Sequence, residues 1–318
     1  MVTDLRPRTA EKTAPAPRPA SKRPFLSQVD AKWSPYLFIA PFFVIFGIFG
    51  LFPLGYTAWV SLHDWDLGGA GAFVGLDNYT TLFGDPDFWN AVGNTLGMLV
   101  LATVPQLLLA LVLASLLNQK LRGLTFLRMG VVLPIVTSVA AVGIVFSQIF
   151  DRDAGMANGL LGLFDIAPVD WRADKWSSWT AISTMVNWRW TGYNALIYLA
   201  AMQAIPRELY EAATVDGASK VRQFRSITVP MIRPAVIFTV IMSTIAGTQL
   251  FTEPLIFGQG GFAISGGSLR QFQTLSMYMF EKAFRDFDYG YGSAVAWMIF
   301  LLITLLGVVN FLITRKGR

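Results

Sequence analysis

Six stretches of the chain stay apolar for about 20 residues, the length a helix rising about 1.5 Å per residue needs to cross a hydrocarbon core about 30 Å thick. They fall at residues 36–60, 94–117, 129–150, 179–204, 235–257 and 293–313. This pattern predicts an all-helical, polytopic membrane protein. The fourth run is the weakest, because Trp188, Arg189 and Trp190 interrupt it in NWRWTGYNALIYLAAM and must be placed by something other than lipid. Residues 1–32 scatter Pro7, Pro15, Pro17, Pro19 and Pro24 among alanines and basic residues, with too little apolar surface to pack. They predict a disordered cytoplasmic tail, ahead of a membrane domain that occupies 33–318. The run 36–60 is too long for a signal-peptide core and predicts a retained first span.

Between the fourth and fifth runs the pattern turns polar. AIPRELYEAATVDGASK carries the marks of a helix: Pro206 suits its first position, Glu208 and Glu211 its positive end, and Gly217 a left-handed terminating residue. In SKVRQFRSI the apolar Val221, Phe224 and Ile227 recur every three positions, which predicts a second short helix before Pro230 and Pro234 close the segment. A connection of about 30 residues is long for neighbouring spans, and Ala212 and Ala213 offer a surface small enough for another backbone to approach. A plain connecting loop would read similarly; docking to a cytoplasmic partner accounts for more of its features.

Charge supplies orientation. The loop 61–92 holds Asp64, Asp66, Asp77, Asp85 and Asp87 and not one Lys or Arg, so it is external. Lys120, Arg122 and Arg128 follow the second run, and Arg207, Lys220, Arg222, Arg225 and Arg233 follow the fourth, which makes both loops internal. Lys22, Arg23 and Lys32 before the first span and Arg315, Lys316 and Arg318 after the last put both termini inside.

Composition agrees: 54% of the 318 residues are hydrophobic and 14% charged, where soluble domains carry about 25% charged residues. There is no cysteine and one histidine, His63, which disfavours thiolate metal sites, haem and cysteine nucleophiles. The net charge of +5 could suit nucleic acid, but the basic residues sit beside apolar runs and form no basic domain. No G-x-x-x-x-G-K-[ST] occurs, and GQGGFAISGG lacks the lysine and helix of a phosphate loop, so the chain does not hydrolyse ATP.

The stretch EAATVDGASKVRQFRSITVPMIRPA resembles the signature of membrane subunits of bacterial ATP-binding-cassette importers, with Glu211, Ala212, Ala213, Gly217, Ile227 and Pro230 at its positions. IPRELYEAATVDGAS, ITVPMIRPA and NWRWTGYNALIYLAAMQ are similar to the carbohydrate branch, the maltose-type permeases, over about residues 36–313. The resemblance implies a type I importer permease fold in the bacterial cytoplasmic membrane. It implies a second homologous permease subunit, a cytoplasmic ATPase dimer that uses the ATP, an extracytoplasmic solute-binding protein and a sugar substrate. It also implies that residues 206–228 couple to the ATPase, through Glu208, Glu211, Ala212, Ala213, Asp216 and Gly217. Many relatives carry Gly-Gly-Pro and Thr after the fifth span; the longer GQGGFAISGGSLRQFQT here looks more like permeases for cellobiose and related β-glucosides.

Buried polar residues within spans mark a pathway or a packing contact. Asn187, Trp190 or Thr191, Asn194 and Tyr198 fall on one helical face, with Arg189 and Tyr193 beside them, and Gln249 and Glu253 are four apart in the fifth span. Asn187, Arg189, Trp190, Tyr193, Asn194, Gln249 and Glu253 are therefore candidates for the sugar pathway, because sugars take hydrogen bonds at their hydroxyls and aromatic faces on their rings. Inter-helix hydrogen bonding and an interfacial aromatic belt would use the same residues, and Arg189 could pair with Glu253. His63 reads as part of a solvated loop. RQFQTLSMYMFEKAFRDF reads as an amphipathic external helix, with Phe272, Leu275, Met279 and Ala283 packing on the spans. The alternative function is a secondary sugar transporter coupled to an ion gradient, for which Glu253 is the one candidate ion ligand. No residue cluster suggests an enzyme.

Overall fold

The structure, a computed structural model, describes residues 25–119 and 123–315. The expected tail as far as Pro24, with Lys22 and Arg23, lies outside the described residues, as do Lys120, Arg122, Lys316 and Arg318. The chain divides into two compact units, Met1–Gly55 and Tyr56–Arg318.

In the first unit, α1 (Phe25–Phe46) begins inside the segment expected to be disordered and runs into a π-helical turn at Gly47–Leu51. With α2 (Phe52–Val60) it makes a helical run, Trp33–Val60, of 28 residues that is apolar enough to cross a membrane.

The second unit begins inside α2, at Tyr56, and continues into an antiparallel hairpin, β1 (His63–Asp66) and β2 (Gly69–Phe73). The described residues are otherwise mostly helical, as the pattern predicts, and this hairpin is a small departure from an all-helical chain. Asp66 accepts a hydrogen bond from the Gly68 amide at 2.6 Å, and Gly69 at φ +106° turns the chain as only glycine does readily. His63 heads the first strand and stacks on Trp59, its Nδ1 2.8 Å from the Trp59 carbonyl oxygen.

Helices follow: α3 (Asp77–Gly84), α4 (Pro86–Leu117), α5 (Leu124–Val136), α6 (Val139–Ile149), α7 (Met156–Gly162) and α8 (Lys175–Gln203). Then come α9 (Arg207–Val215), α10 (Lys220–Gln223), α11 (Val229–Met231), α12 (Arg233–Thr248), α13 (Thr252–Phe257), α14 (Leu275–Phe280) and α15 (Tyr289–Arg315). Both long central helices start at aspartate caps. The Asp85 carboxylate takes the Asp87 amide at 2.8 Å, with Pro86 at the first helical position, and Asp174 takes the Trp176 amide at 2.8 Å.

Two expected spans are broken. Residues 129–150 were expected to form one helix, but Leu124–Val136 and Val139–Ile149 meet at 93°. Pro134 removes an amide near the end of α5, and Thr137 and Ser138 are extended, at ψ 140° and 131°. The fifth expected span stops at Thr248 and restarts at Thr252, where Pro254 falls in the first turn, the place a helix tolerates it. The Thr274 hydroxyl donates to the carbonyl that Leu250 exposes at this break, at 2.7 Å.

Among the described residues three helices, Trp33–Val60, Pro86–Leu117 and Tyr289–Ile313, are long and apolar enough to cross a membrane, or up to five if the bent pairs Leu124–Val136 with Val139–Ile149 and Lys220–Met231 with Arg233–Thr248 each count once. The 29-residue α8 is long enough but not apolar enough to be among them, since polar residues such as Asn187, Arg189 and Asn194 interrupt it; its neighbours bury much of its length. Trp179, Ile182 and Met185 of α8 pack with Met98 of α4, Val142 of α6 and Phe257 of α13. Farther along, Ala110 and Ala114 of α4 face Ala195 of α8 with Tyr198, Met202 and Ile232, where small side chains bring the helices close. A third cluster joins Leu82, Phe88, Tyr278 and Val295.

Candidate functional site

A cavity of about 430 Å³ opens where α4, α8 and α12 diverge. The α8 wall is Val186, Trp190, Tyr193, Asn194 and Ile197; the α4 wall is Met98, Leu99, Ala102, Thr103 and Gln106. From α12 come Phe238, Thr239, Met242, Ser243, Ala246 and Gly247, and the break that follows supplies Gln249 through Glu253. Gly247 permits the approach of α12 to α4, because a Cβ there would sit 2.5 Å from the Leu99 Cδ1. The Tyr198 and Thr239 hydroxyls, 2.6 Å apart and buried, tie α8 to α12 below the cavity.

Five of the seven expected pathway residues, Trp190, Tyr193, Asn194, Gln249 and Glu253, line this one space. Arg189 stands just behind it, its Nη1 2.6 Å from the Glu253 Oε1 and its guanidinium 5.9 Å from the Trp190 ring. Trp190 and Tyr193 meet edge to face, with centroids 6.0 Å apart. The Asn194 Nδ2 is buried without a hydrogen-bond partner, a condition that costs about 1–3 kcal/mol.

Asn187 departs from the expectation, and Thr191 with it. Both open onto a separate groove of about 390 Å³ beside Leu109, Leu113, Val131 and Pro134. The helical arithmetic was sound, since Asn187 and Asn194 differ by only about 20° around α8. However, at the height of Asn187 the neighbour on the side to which it turns is α5, whose Val131 and Pro134 line the same groove. That helix comes so near that a Cβ on Gly192 would lie 1.8 Å from the Val131 carbonyl oxygen. Gln106, Thr103 and Ser243 were missed; Gln106, next to Pro105 in an otherwise apolar run, was the readable signal among them.

The polar segment after α8 forms the expected pair of helices, shifted by one residue at its start: Pro206 caps α9 and Arg207 is its first residue. Gly217 has φ +74°. Its amide bonds the Thr214 carbonyl at 3.0 Å and the Ala218 amide reaches the Ala213 carbonyl at 2.8 Å, the paired bonds of a Schellman C-cap. The second helix, 220–231, is continuous through a π-turn at Phe224–Thr228. Two links lock it to α9: Tyr210 and Thr228 hydroxyls at 2.9 Å, and the buried Gln223 amide to Thr214 Oγ1 at 3.0 Å and to the Ala218 carbonyl at 3.1 Å. Tyr210, Phe224 and Ile227 pack inward against the α4–α8 cluster. Glu208, Glu211, Ala212, Asp216 and Gly217 are exposed and Ala213 is half-buried, with Val215 88% exposed among them.

At the opposite end, the glycine-rich segment is ordered by a network the sequence did not reveal. Glu281, its side chain 4% exposed, receives Arg270 Nη1 at 2.5 Å, Gln273 Nε2 at 2.6 Å and Ser265 Oγ at 2.7 Å. Arg270 also pairs with Asp87 at 3.0 Å, while Asn90 and Asn94 both donate to its carbonyl at 2.8 Å. Burial would raise the Glu281 pKa, but the hydrogen bonds from Ser265, Arg270 and Gln273 outweigh it and hold the carboxyl below its ordinary value. Asp85 behaves alike: burial is outweighed by the Tyr278, Asp87 amide and Tyr291 hydrogen bonds. The helix that follows the glycine-rich segment is shorter than expected, starting at Leu275 under a Thr274 cap, but Phe272, Leu275 and Ala283 pack inward and Met279 partly so, as their spacing predicts.

Comparison with known proteins fits this arrangement. The family described as "Binding-protein-dependent transport system inner membrane component" matches residues 96–317. The chain is 36% identical over 289 residues to the lactose transport system permease protein LacF of Rhizobium radiobacter, covering 89% of this chain and 94% of that protein. It is 33% identical over 302 residues to the arabinooligosaccharides transport system permease protein AraP of Halalkalibacterium halodurans, covering 93% of each. Its fold is that of a chain in the crystal structure of a bacterial alginate ABC transporter in complex with an alginate pentasaccharide-bound periplasmic protein, with TM-score 0.78 at 19% identity over 92% of this chain and 97% of that one. A cavity framed by broken helices, a capped surface segment at one end and these matches lead to one assignment: the chain belongs to the binding-protein-dependent transport system inner-membrane components, as a multi-pass permease subunit of the cytoplasmic membrane that leaves ATP hydrolysis to a separate subunit.

Proposed function

We propose that this chain forms half of the path by which an ATP-driven importer moves a sugar inward, with a second homologous permease completing the path. A solute-binding protein delivers the sugar from outside and a cytoplasmic ATPase dimer docks on residues 206–228. The relatives named for lactose and for arabinooligosaccharides support a sugar as the cargo. The chain crosses the membrane six times in this reading: Trp33–Val60, α4, the bent α5–α6 pair, α8, α12 with α13, and α15. Arg128, Arg207, Lys220, Arg222, Arg225 and Arg233 fall at one set of loops and Asp64, Asp66, Asp77, Asp85 and Asp87 at the other, which supports cytoplasmic termini.

The observation that carries the proposal is the continuity of α8. It lines the cavity with Trp190 and Asn194, ends at Gln203, and three residues later becomes the capped α9. A helix that moves as a rigid element passes a push at α9 to the cavity wall, where a flexible loop would absorb it. The Glu208, Glu211, Ala212, Ala213, Asp216 and Gly217 surface is the docking face, and Trp190, Tyr193, Asn194, Gln249 and Glu253 the sugar-facing one. The test is accumulation of sugar by the assembled complex in liposomes. Accumulation should require ATP and vanish when the ATPase's phosphate-binding lysine is replaced; undiminished accumulation in that variant refutes the proposal.

A further inference from the structure

Among the described residues that line the cavity, Glu253 alone brings a carboxyl or a basic group; the rest are neutral amides, hydroxyls, rings and apolar side chains. Its countercharge, Arg189, does not line the cavity but sits behind the carboxylate at 2.6 Å, and the two side chains are 12% and 9% exposed. A buried charge in a membrane segment is tolerated when paired, so the pair contributes no net charge to the path. It is nevertheless asymmetric toward a ligand, which meets the acid first and the base only through it.

We propose that Glu253 determines the substrate class of the pathway: by covering Arg189 it admits neutral saccharides and disfavours those bearing a carboxylate, sulfonate or phosphate. The inference rests on the reading of the cavity as the sugar pathway. Gln106, Asn194 and Gln249 offer neutral donors and acceptors to sugar hydroxyls, and Trp190 and Tyr193 offer ring faces. None of these neutralises an anion. An anionic sugar would face a like charge in a poorly hydrated space, where juxtaposed like charges strongly disfavour association. Removing the acid would reverse the wall's character, because Arg189 would stand uncovered and its planar fork suits carboxylates.

The test uses the assembled complex of permeases and ATPase in lipid nanodiscs, without the solute-binding protein, so that its selectivity does not intervene. Isothermal titration compares lactose and cellobiose, each against its uronic acid form with a carboxylate at C6 of the non-reducing sugar. The wild type should bind the neutral member about tenfold or more tighter. Glu253→Gln should shift that ratio toward the acid by about tenfold or more, and Glu253→Gln with Arg189→Gln should restore the neutral preference. A structural role alone would weaken both members equally and leave the ratio fixed. An unchanged ratio in a Glu253→Gln complex that assembles and melts as the wild type does, or a wild-type preference for the acids, overturns the proposal. If neither member of either pair binds the wild type, the sugar-pathway reading fails, and this inference falls with it.

Discussion

Replacing Gly217 offers a graded test of whether a rigid segment 206–228 transmits force. At φ +74° the residue lies where a side chain is disfavoured by about 1–2 kcal/mol, although a Cβ there would meet nothing within 4 Å. Gly217→Ala regains about 0.4–1 kcal/mol from a stiffer unfolded chain, leaving a net cost near 1 kcal/mol, or about fivefold in the local equilibrium. The half-buried anchors Tyr210, Phe224 and Ile227 should hold the segment against that. Proline is different in kind. It fixes φ near −65°, a rotation of about 140° from the observed value, and it removes the amide that bonds Thr214. Both Schellman bonds are then lost, at about 1 kcal/mol each, on top of backbone strain of about 1–3 kcal/mol. ATP-driven sugar uptake should therefore rank glycine, asparagine, alanine, with proline near zero, while the amount of protein in the membrane stays constant. The assay is initial uptake rate in proteoliposomes, normalised to inserted permease. Wild-type uptake by Gly217→Pro would refute the role of the cap, and so would a loss in Gly217→Ala as complete as that in proline.

Further outcomes follow from packing and charge. Gly192→Leu would drive a side chain into the Val131 carbonyl and should prevent α5 from packing on α8, seen as lost stable expression, whereas Gly159→Leu, with open space around its Cβ position, should be tolerated. The Asp85 and Glu281 carboxyls are held below their ordinary pKa, so the stability they contribute is present above about pH 4 and lost as pH falls below it. Proteolysis of the 258–288 segment should accelerate below that pH, and Glu281→Gln should raise the rate at neutral pH while flattening its pH dependence. Glu211→Arg, at an exposed position of α9, should abolish ATP-coupled uptake and leave the melting temperature of the isolated permease unchanged.

What could be read from the chain itself was local. The segment 206–228 announces its helices because proline, glutamate and glycine act within one turn of where they stand, and Gly217 adopts the left-handed conformation its position predicts. Arg189 and Glu253, 64 residues apart, were readable as a pair for another reason: two charges in apolar helices have few other ways to be accommodated. Breaks inside apolar runs left less trace. Hydrophobicity is the same on both sides of Thr137 and Gln249, so composition extends a span straight through a 93° bend or an exposed Leu250 carbonyl. Pro134 was a usable sign for the first break. Asn187 was misplaced because periodicity gives direction around one helix but not which neighbour crosses it at that height. The hairpin at 63–73 was overlooked in a loop read only for charge, although its Gly68–Gly69 pair is turn chemistry.

The most direct test of coupling through this segment exploits the absence of cysteine, which lets one introduced thiol report alone. Val215→Cys, on the exposed side of α9, is loaded with a thiol-reactive benzophenone in the assembled complex and illuminated, beside Leu269→Cys in the glycine-rich segment at the other end, where the leucine is 78% exposed. The account predicts a covalent product of permease and ATPase from position 215 and none from 269. A product from 269, or none from 215 in a complex that hydrolyses ATP, would contradict it.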